Sequence, residues 1–440
     1  MDRNLTSRMS TPTVRNGALP DDGNPLLGNI PPVPSVQEAM HIVAESYLDH
    51  DLTGLSDSEI VVRQSRHAIV PNSQLAGIIV HLITLVRDSY RDRDLRTFEY
   101  RNHVLATNNF LHQRIVSARK SIPSCFGISP FAKSRGLVVA IPAYMGRTAL
   151  CDSIESLIKR ELVSARVVVG DSLAEYPQLR VLRVQWPIGG EVSDFVHNFI
   201  GAFDSALNTD YINAARVPLF RDRDGVPAIC SLGTAAHLGL LIVERINVEN
   251  VSPLAADLTW NAIAQFTRTT GIPVLCLPSP GAAALSLTKL SGSVSDLTSS
   301  GVIEITRSPN AANSHWVAIC ETQFDATLGV VDVGPMPAWF PEAAYELTLG
   351  YPGLLSKALT YIAQLLILMN VSTFDQKMFK SHGKSALAMD LPHIEAVRTI
   401  RMLDKNSRRP VRFKPSSLLR HGDWLSFEEL FPSHLMPEPL

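Results

Sequence analysis

Residues 138–158 read VVAIPAYMGRTALCDSIESLI, and the fold turns on this stretch. Four apolar residues, Val138 to Ile141, run into a short loop, then Gly146-Arg147-Thr148. A helix follows, with Leu150, Ile154, Leu157 and Ile158 at helical spacing. This is the layout of a phosphate-binding loop, GxxxxGK[ST]. Such a loop needs glycine where the backbone meets phosphate, amides at a helix N-terminus, a lysine on the outer phosphates and a hydroxyl on magnesium. Here Ile141 replaces the first glycine and Arg147 the lysine, while Gly146 and Thr148 are kept. A guanidinium pairs with phosphate, but its planar fork does not reproduce an ammonium.

Apolar runs recur downstream of this stretch. They are GLVVAI at 136–141, LRVLRV at 179–184, LGLLIV at 238–243, IPVLCL at 272–277 and VIEI at 302–305. Helical patterns lie between them, such as Phe195, Phe199, Phe203 and Leu207. Alternating buried strands and helices predict a parallel five-stranded sheet covered on both faces. The segment HLGLLIVERIN at 237–247 adds a second nucleotide-like feature. Four apolar residues end in Glu244, where a Walker B strand places the carboxylate that holds magnesium. Arg245 stands where a general base would polarise water, and a guanidinium does not deprotonate in proteins.

The flanks have a different texture. Residues 1–35 are rich in Pro, Ser, Asn, Asp and Gly and read as a disordered tail. Residues 36–120 read as helical, with apolar residues at helical spacing over 36–47 and 75–86. The run YRDRDLRTFEYRNH alternates charge signs and reads as a solvated helix face. The α/β core is expected over 121–340, a helical lid over 341–395 and a basic segment and tail over 396–440.

In this order the segments resemble one family, the TnsC/TniB-type AAA+ ATPases that regulate bacterial transposons. The resemblance covers about residues 100–370 and includes AIPAYMGRTAL and LGLLIVERIN. It extends through QLRVLRVQWPIGG with DFVHNFIGAFDSALNTDY, then FTRTTGIPVLCLPSPGA and TLGYPGLLSKALTYIAQLLI. It implies a P-loop AAA+ (RecA-like) core binding ATP and Mg2+, with Gly146, Arg147 and Thr148 on the phosphates. Thr148 and Glu244 would stand on the magnesium side, Ser279 would be a polar sensor, and Lys357 the lid's basic residue. Arg307 would reach a neighbouring subunit's nucleotide. The implied role is a DNA transposition regulator that assembles on DNA as a ring or filament and links a target selector to the transposase. Because Ile141, Arg147, Glu244 and Arg245 alter both nucleotide motifs, weak or absent hydrolysis is expected. The alternative is a structural adaptor that binds no nucleotide.

A rival reading starts from ARVVVGDSLAEY at 165–176, which resembles the opening block of GDSL esterases. Ser172 would be the nucleophile, with Asp390 and His393 in the Asp-x-x-His spacing. Against it, some 165 residues precede the block, and no Gly-x-Asn-Asp block supplies an oxyanion hole.

Composition limits the partners. The 440 residues carry a formal net charge of −2, so attraction to nucleic acid must come from local patches. The basic run 398–420 holds eight Lys or Arg and one acidic residue. Arg408, Arg409, Arg412 and Lys414 are its candidate DNA contacts, docking on an acidic partner being the alternative. Five dispersed cysteines without CxxC indicate neither a disulfide framework nor a zinc site, and fit a reducing compartment. His197, His237 and His315 lack metal-ligand spacing. No apolar segment marks the first 23 residues as a signal peptide, and the apolar run 358–371 contains Gln364 and is expected to be too short to span a bilayer. A soluble bacterial cytoplasmic protein without a membrane partner is expected.

Overall fold

The computed structural model describes residues 23–45, 52–116, 132–214, 225–290, 292–406 and 420–430. Seven strands occur among them: β1 (Gly136–Ala140), β2 (Leu162–Val169), β3 (Ser172–Leu179), β4 (Val181–Gln185), β5 (Leu240–Ile246), β6 (Val274–Pro278) and β7 (Val302–Glu304). Five form one parallel sheet in the order β4-β5-β6-β1-β7. Each of the five apolar runs supplies one of these strands. The remaining two pair as an antiparallel hairpin, with Val169 opposite Ser172.

Alternation along the strands sorts side chains to the two faces. In β1, Val138 joins one core with Phe195, Phe199, Trp260 and Phe266. Leu137 and Val139 join the other, with Ile79, Leu82, Leu150 and Ile154. The first face is covered by helices Val192–Leu207, Gly225–Ala235 and Ala255–Thr270. The second is covered by Arg147–Ile158 and Ser73–Asp92. A third core lies among helices Ser314–Thr327, Phe340–Thr348, Pro352–Met369, Gln376–Ala386 and Leu391–Asn406.

Three sequence expectations change. Residues 23–30 are not all tail: Leu26, Leu27 and Ile30 are buried against the second core. Apolar side chains there remove enough surface from water to order the backbone. The charged run after Val86 is also partly internal. Buried Arg135 pairs with Asp88 and Asp92 at 2.8 and 2.6 Å, and buried Arg93 donates to the Leu238 carbonyl at 2.8 Å. These bonds fasten the helix to the sheet's amino-terminal edge instead of leaving its charges in water. Finally, the apolar run near 358 belongs to an 18-residue helix, Pro352–Met369, whose length and composition would suffice to cross a membrane. It buries Leu354, Leu355, Leu359, Ile362 and Leu366 against neighbouring helices.

Candidate functional site

The carboxyl ends of β1, β5, β6 and β7 meet where the strand order reverses, the place where open parallel sheets bind ligands. Each contributes one predicted feature. β1 leads into the loop 141–146, β5 carries Glu244, β6 ends before Ser279, and β7 ends before Arg307.

Gly146 is the N-cap of helix Arg147–Ile158, at φ +86° in the left-handed region where glycine carries no Cβ penalty. Thr148 is exposed on the first turn. Arg147 does not reach outward. Its guanidinium donates to the Ile141 carbonyl and to the Asn247 side chain, both at 2.9 Å. Burial lowers its pKa, opposed by the carboxylates of Asp423 and Glu244. The arginine thus braces the loop against the end of β5.

Glu244 is buried and accepts from Arg183 at 2.8 Å. The Cys151 thiol lies 3.8 Å from the same oxygen, one helical turn beyond Thr148. Arg183 also pairs with Asp152 at 2.7 Å and Glu155 at 3.3 Å. Against the desolvation that lowers it, the Glu244 and Asp152 carboxylates hold the Arg183 guanidinium above its usual range. Arg245 occupies a bulge in β5 at φ +60° and is exposed, so its side chain leaves the crevice.

A cavity of about 460 Å³ opens beside the loop, lined by Gly146, Thr148, Ala149, Ile305, His315 and Gly353 among others. That volume falls within the ~300–1,000 Å³ typical of small-molecule sites. Helix Pro352–Met369 closes it, and the Gly353 amide donates to the Tyr144 carbonyl at 2.9 Å. Lys357, on that helix, pairs with Asp390 at 2.6 Å, and Asp390 also accepts from the Tyr144 hydroxyl at 2.9 Å.

Sequence reasoning missed one element. Residues 420–430, read as part of a basic segment and tail, form a strap across the crevice. The Asp423 carbonyl accepts from Ala143 N at 2.7 Å, and the Gly422 carbonyl from Gly281 N at 3.0 Å. The Asp423 carboxylate accepts from Val248 N at 2.9 Å and from the Ser279 hydroxyl. Ser279 also caps helix Pro280–Leu287 by accepting from Ala282 N at 3.1 Å. Trp424 stacks on His393 at 5.1 Å and packs against Tyr144 and Tyr351. The strap ends in a reciprocal cap, Ser426 N to Glu429 at 2.8 Å and Glu429 N to the Ser426 hydroxyl at 3.3 Å. Ser-x-x-Glu at 426–429 was the available sequence signal.

Arg307 is placed differently from the expectation. It is buried, pairs with Glu429 at 2.5 Å and lies over the Tyr351 ring. The strap therefore turns inward the arginine expected to reach a neighbour. The esterase residues are also engaged elsewhere. Ser172 opens β3 of the separate hairpin, Asp390 serves Lys357 and Tyr144, and His393 bonds His421 at 3.0 Å. Arg408, Arg409, Arg412 and Lys414 lie outside the described residues.

The cavity beside Gly146 and Thr148 has the volume of a small-molecule site. The phosphate end does not fit a triphosphate in this conformation, because the strap takes Ala143 N and Ser279. The magnesium-side carboxylate is engaged as well: Glu244 is held by Arg183 at 2.8 Å.

No protein-family profile matches the sequence. No curated protein matches it. Among solved structures the chain is similar to the Aeropyrum pernix ORC2 protein in its ADPNP–ADP complexes, at 10% identity and TM-score 0.39, over 79% of this chain and 85% of that one. It is similar to the Thermotoga maritima RuvB Holliday junction branch migration motor at 12% identity and TM-score 0.35, over 75% and 86%. It is also similar to Cdc6p from Pyrobaculum aerophilum at 14% identity and TM-score 0.35, over 66% and 67%. The superpositions are loose, and the reading of the site rests on its own geometry.

Proposed function

We propose that this chain is a DNA transposition regulator of the AAA+ class that works as a nucleotide-responsive adaptor, without efficient ATP turnover. The end of β5 carries the reading. Glu244 is committed to Arg183, and the next residue is an exposed arginine on a bulge. A guanidinium cannot serve as the general base that polarises water. The loop at β1, the reversal of strand order and the adjoining cavity support a site built to sense a nucleotide. The sequence resemblance supplies the rest of the proposal: DNA, a transposase, a target selector and further copies of the chain as partners, in a bacterial cytoplasm.

An adaptor that binds no nucleotide is the second reading, favoured by the seating of Asp423 at the phosphate end. Purified protein assayed for ATP binding, phosphate release and DNA retention separates the two. ATP-dependent retention of duplex DNA with negligible phosphate release is expected. Rapid turnover contradicts the silent site, and failure to retain DNA at low salt contradicts the transposition role.

A further inference from the structure

The strap 420–430 supplies a carboxylate where the crevice otherwise ends in unfilled donors. Gly146 and Thr148 line the cavity, the Ala143 amide bonds the Asp423 carbonyl, and Ser279 and Val248 reach the Asp423 carboxylate. The last two donate to a single oxygen of Asp423, and Arg147 feels the same charge. A backbone amide and a hydroxyl converging on one anion, within the field of a guanidinium, are the donor types that receive a terminal phosphate. The Asp423 carbonyl takes a loop amide as well.

We propose that the strap is an internal anion plug: Asp423 occupies the terminal-phosphate position, so that a nucleoside triphosphate and the strap compete for the crevice. The proposal rests on reading the loop and cavity as a nucleotide site. It predicts selectivity by phosphate number. Adenosine, held in the cavity, leaves the strap seated, whereas ATP displaces it.

The seating is tight enough to be broken from outside the phosphate position. A Cβ at Gly281 would lie 2.4 Å from the Gly422 Cα and 2.7 Å from its carbonyl oxygen. Both are backbone atoms with no flexible end to swing away. Gly281→Ala therefore evicts the strap without altering any donor in the crevice, while alanine suits the helix better than glycine. Asp423→Asn keeps an acceptor for Val248 N but removes the charge that repels phosphate.

The test is calorimetric binding of ATP and of adenosine to the full chain and to both variants. It is paired with hydrogen exchange of the 420–430 peptide in the wild type. Both substitutions are expected to tighten ATP by about tenfold or more and to leave adenosine within about twofold. ATP, but not adenosine, is expected to speed exchange of the strap amides. If the wild type binds ATP, the folded variants bind it no tighter and strap exchange is unchanged, the plug is wrong and the nucleotide site stands. If neither wild type nor folded variants bind ATP or adenosine, the nucleotide site fails and the plug with it. Should a variant not fold, exchange in the wild type decides: faster strap exchange with ATP supports the plug, and unchanged exchange overturns it.

Discussion

At Arg245 a positive φ and a guanidinium coincide, and both act against catalysis. The bulge turns the side chain out of the crevice, and the group would hold its proton even if turned inward. ATP turnover is therefore expected about 10²–10⁴-fold below that of an enzyme with a general base. Arg147→Lys combined with Arg245→Glu should recover only part of the loss, because Arg183 still holds Glu244 at 2.8 Å. Phosphate release by contaminant-free protein checks both statements, and an ordinary rate in the wild type would contradict the first. His237 offers a separate residue-scale test. It is fully buried, bonds the Tyr100 hydroxyl at 3.0 Å, and has no partner for Nε2. Burial, and then the charge of Arg93, pushes its pKa down to about 3. An unfolded histidine titrates near ~6.5, so the unfolded chain binds the extra proton first. The stability contribution is complete above about pH 6.5 and is lost as pH falls toward about 3, by roughly 1 kcal/mol per pH unit. His237→Asn, which tolerates the φ of +45° and does not titrate, should lack that slope in urea melts at pH 7 and pH 5.5.

The elements differ in how far they could be read from sequence, and the reason is where each finds its partners. Strands buried on both faces are largely apolar runs, so β1, β4, β5 and β6 stood out directly. The hairpin did not. Its second strand, SLAEYPQL, carries no clean apolar alternation and is largely exposed until Gln178 and Leu179. The strap was hidden more deeply, because the partners of Gly422 and Asp423 lie more than 100 residues away and are mostly backbone groups without a sequence pattern. For the same reason the loop's geometry was legible as strand, turn and helix, but the inward fold of Arg147 and the Glu244–Arg183 pair were not. Close backbone approaches between elements are similarly silent in sequence and testable in structure. Gly239 enters β5 with its amide on the Leu179 carbonyl at 2.9 Å, and a Cβ there would lie 2.4 Å from the Arg180 carbonyl oxygen. Gly239→Ala should destabilise the fold by ~1–3 kcal/mol, as overpacking does. Gly292→Ala, with no atom within 4 Å of the added carbon, should stay within about 0.5 kcal/mol of wild type. Denaturant midpoints of the two variants decide the matter.

On the scale of the whole molecule, the sheet with its two flanking cores and the third, helical core meet around the cavity and the strap. A ligand held there touches the loop, helix Pro352–Met369 and the loop after β7 at once, so it couples the sheet to the helical region. The net charge of −2 leaves no general attraction to DNA, and any DNA surface has to be assembled from local clusters. Arg408, Arg409 and Arg412 are the densest such cluster in the sequence and adjoin the strap in the chain. Each phosphate they neutralise releases condensed counterions, so log affinity falls with log salt in proportion to the contacts made. Replacing the three with Ala should reduce that slope by up to about one unit per lost contact. Affinity should fall equally for unrelated duplexes, because phosphate contacts position a protein without reading bases. The measurement is a salt titration of wild type and triple variant on two duplexes of different sequence, with and without ATP. An unchanged slope removes the cluster from the DNA surface and leaves it to an acidic protein partner. A slope that falls on one duplex only would mean that these arginines read sequence, contrary to the expectation. A slope that falls equally on both, and more steeply when ATP is present, would tie the basic segment to the nucleotide site.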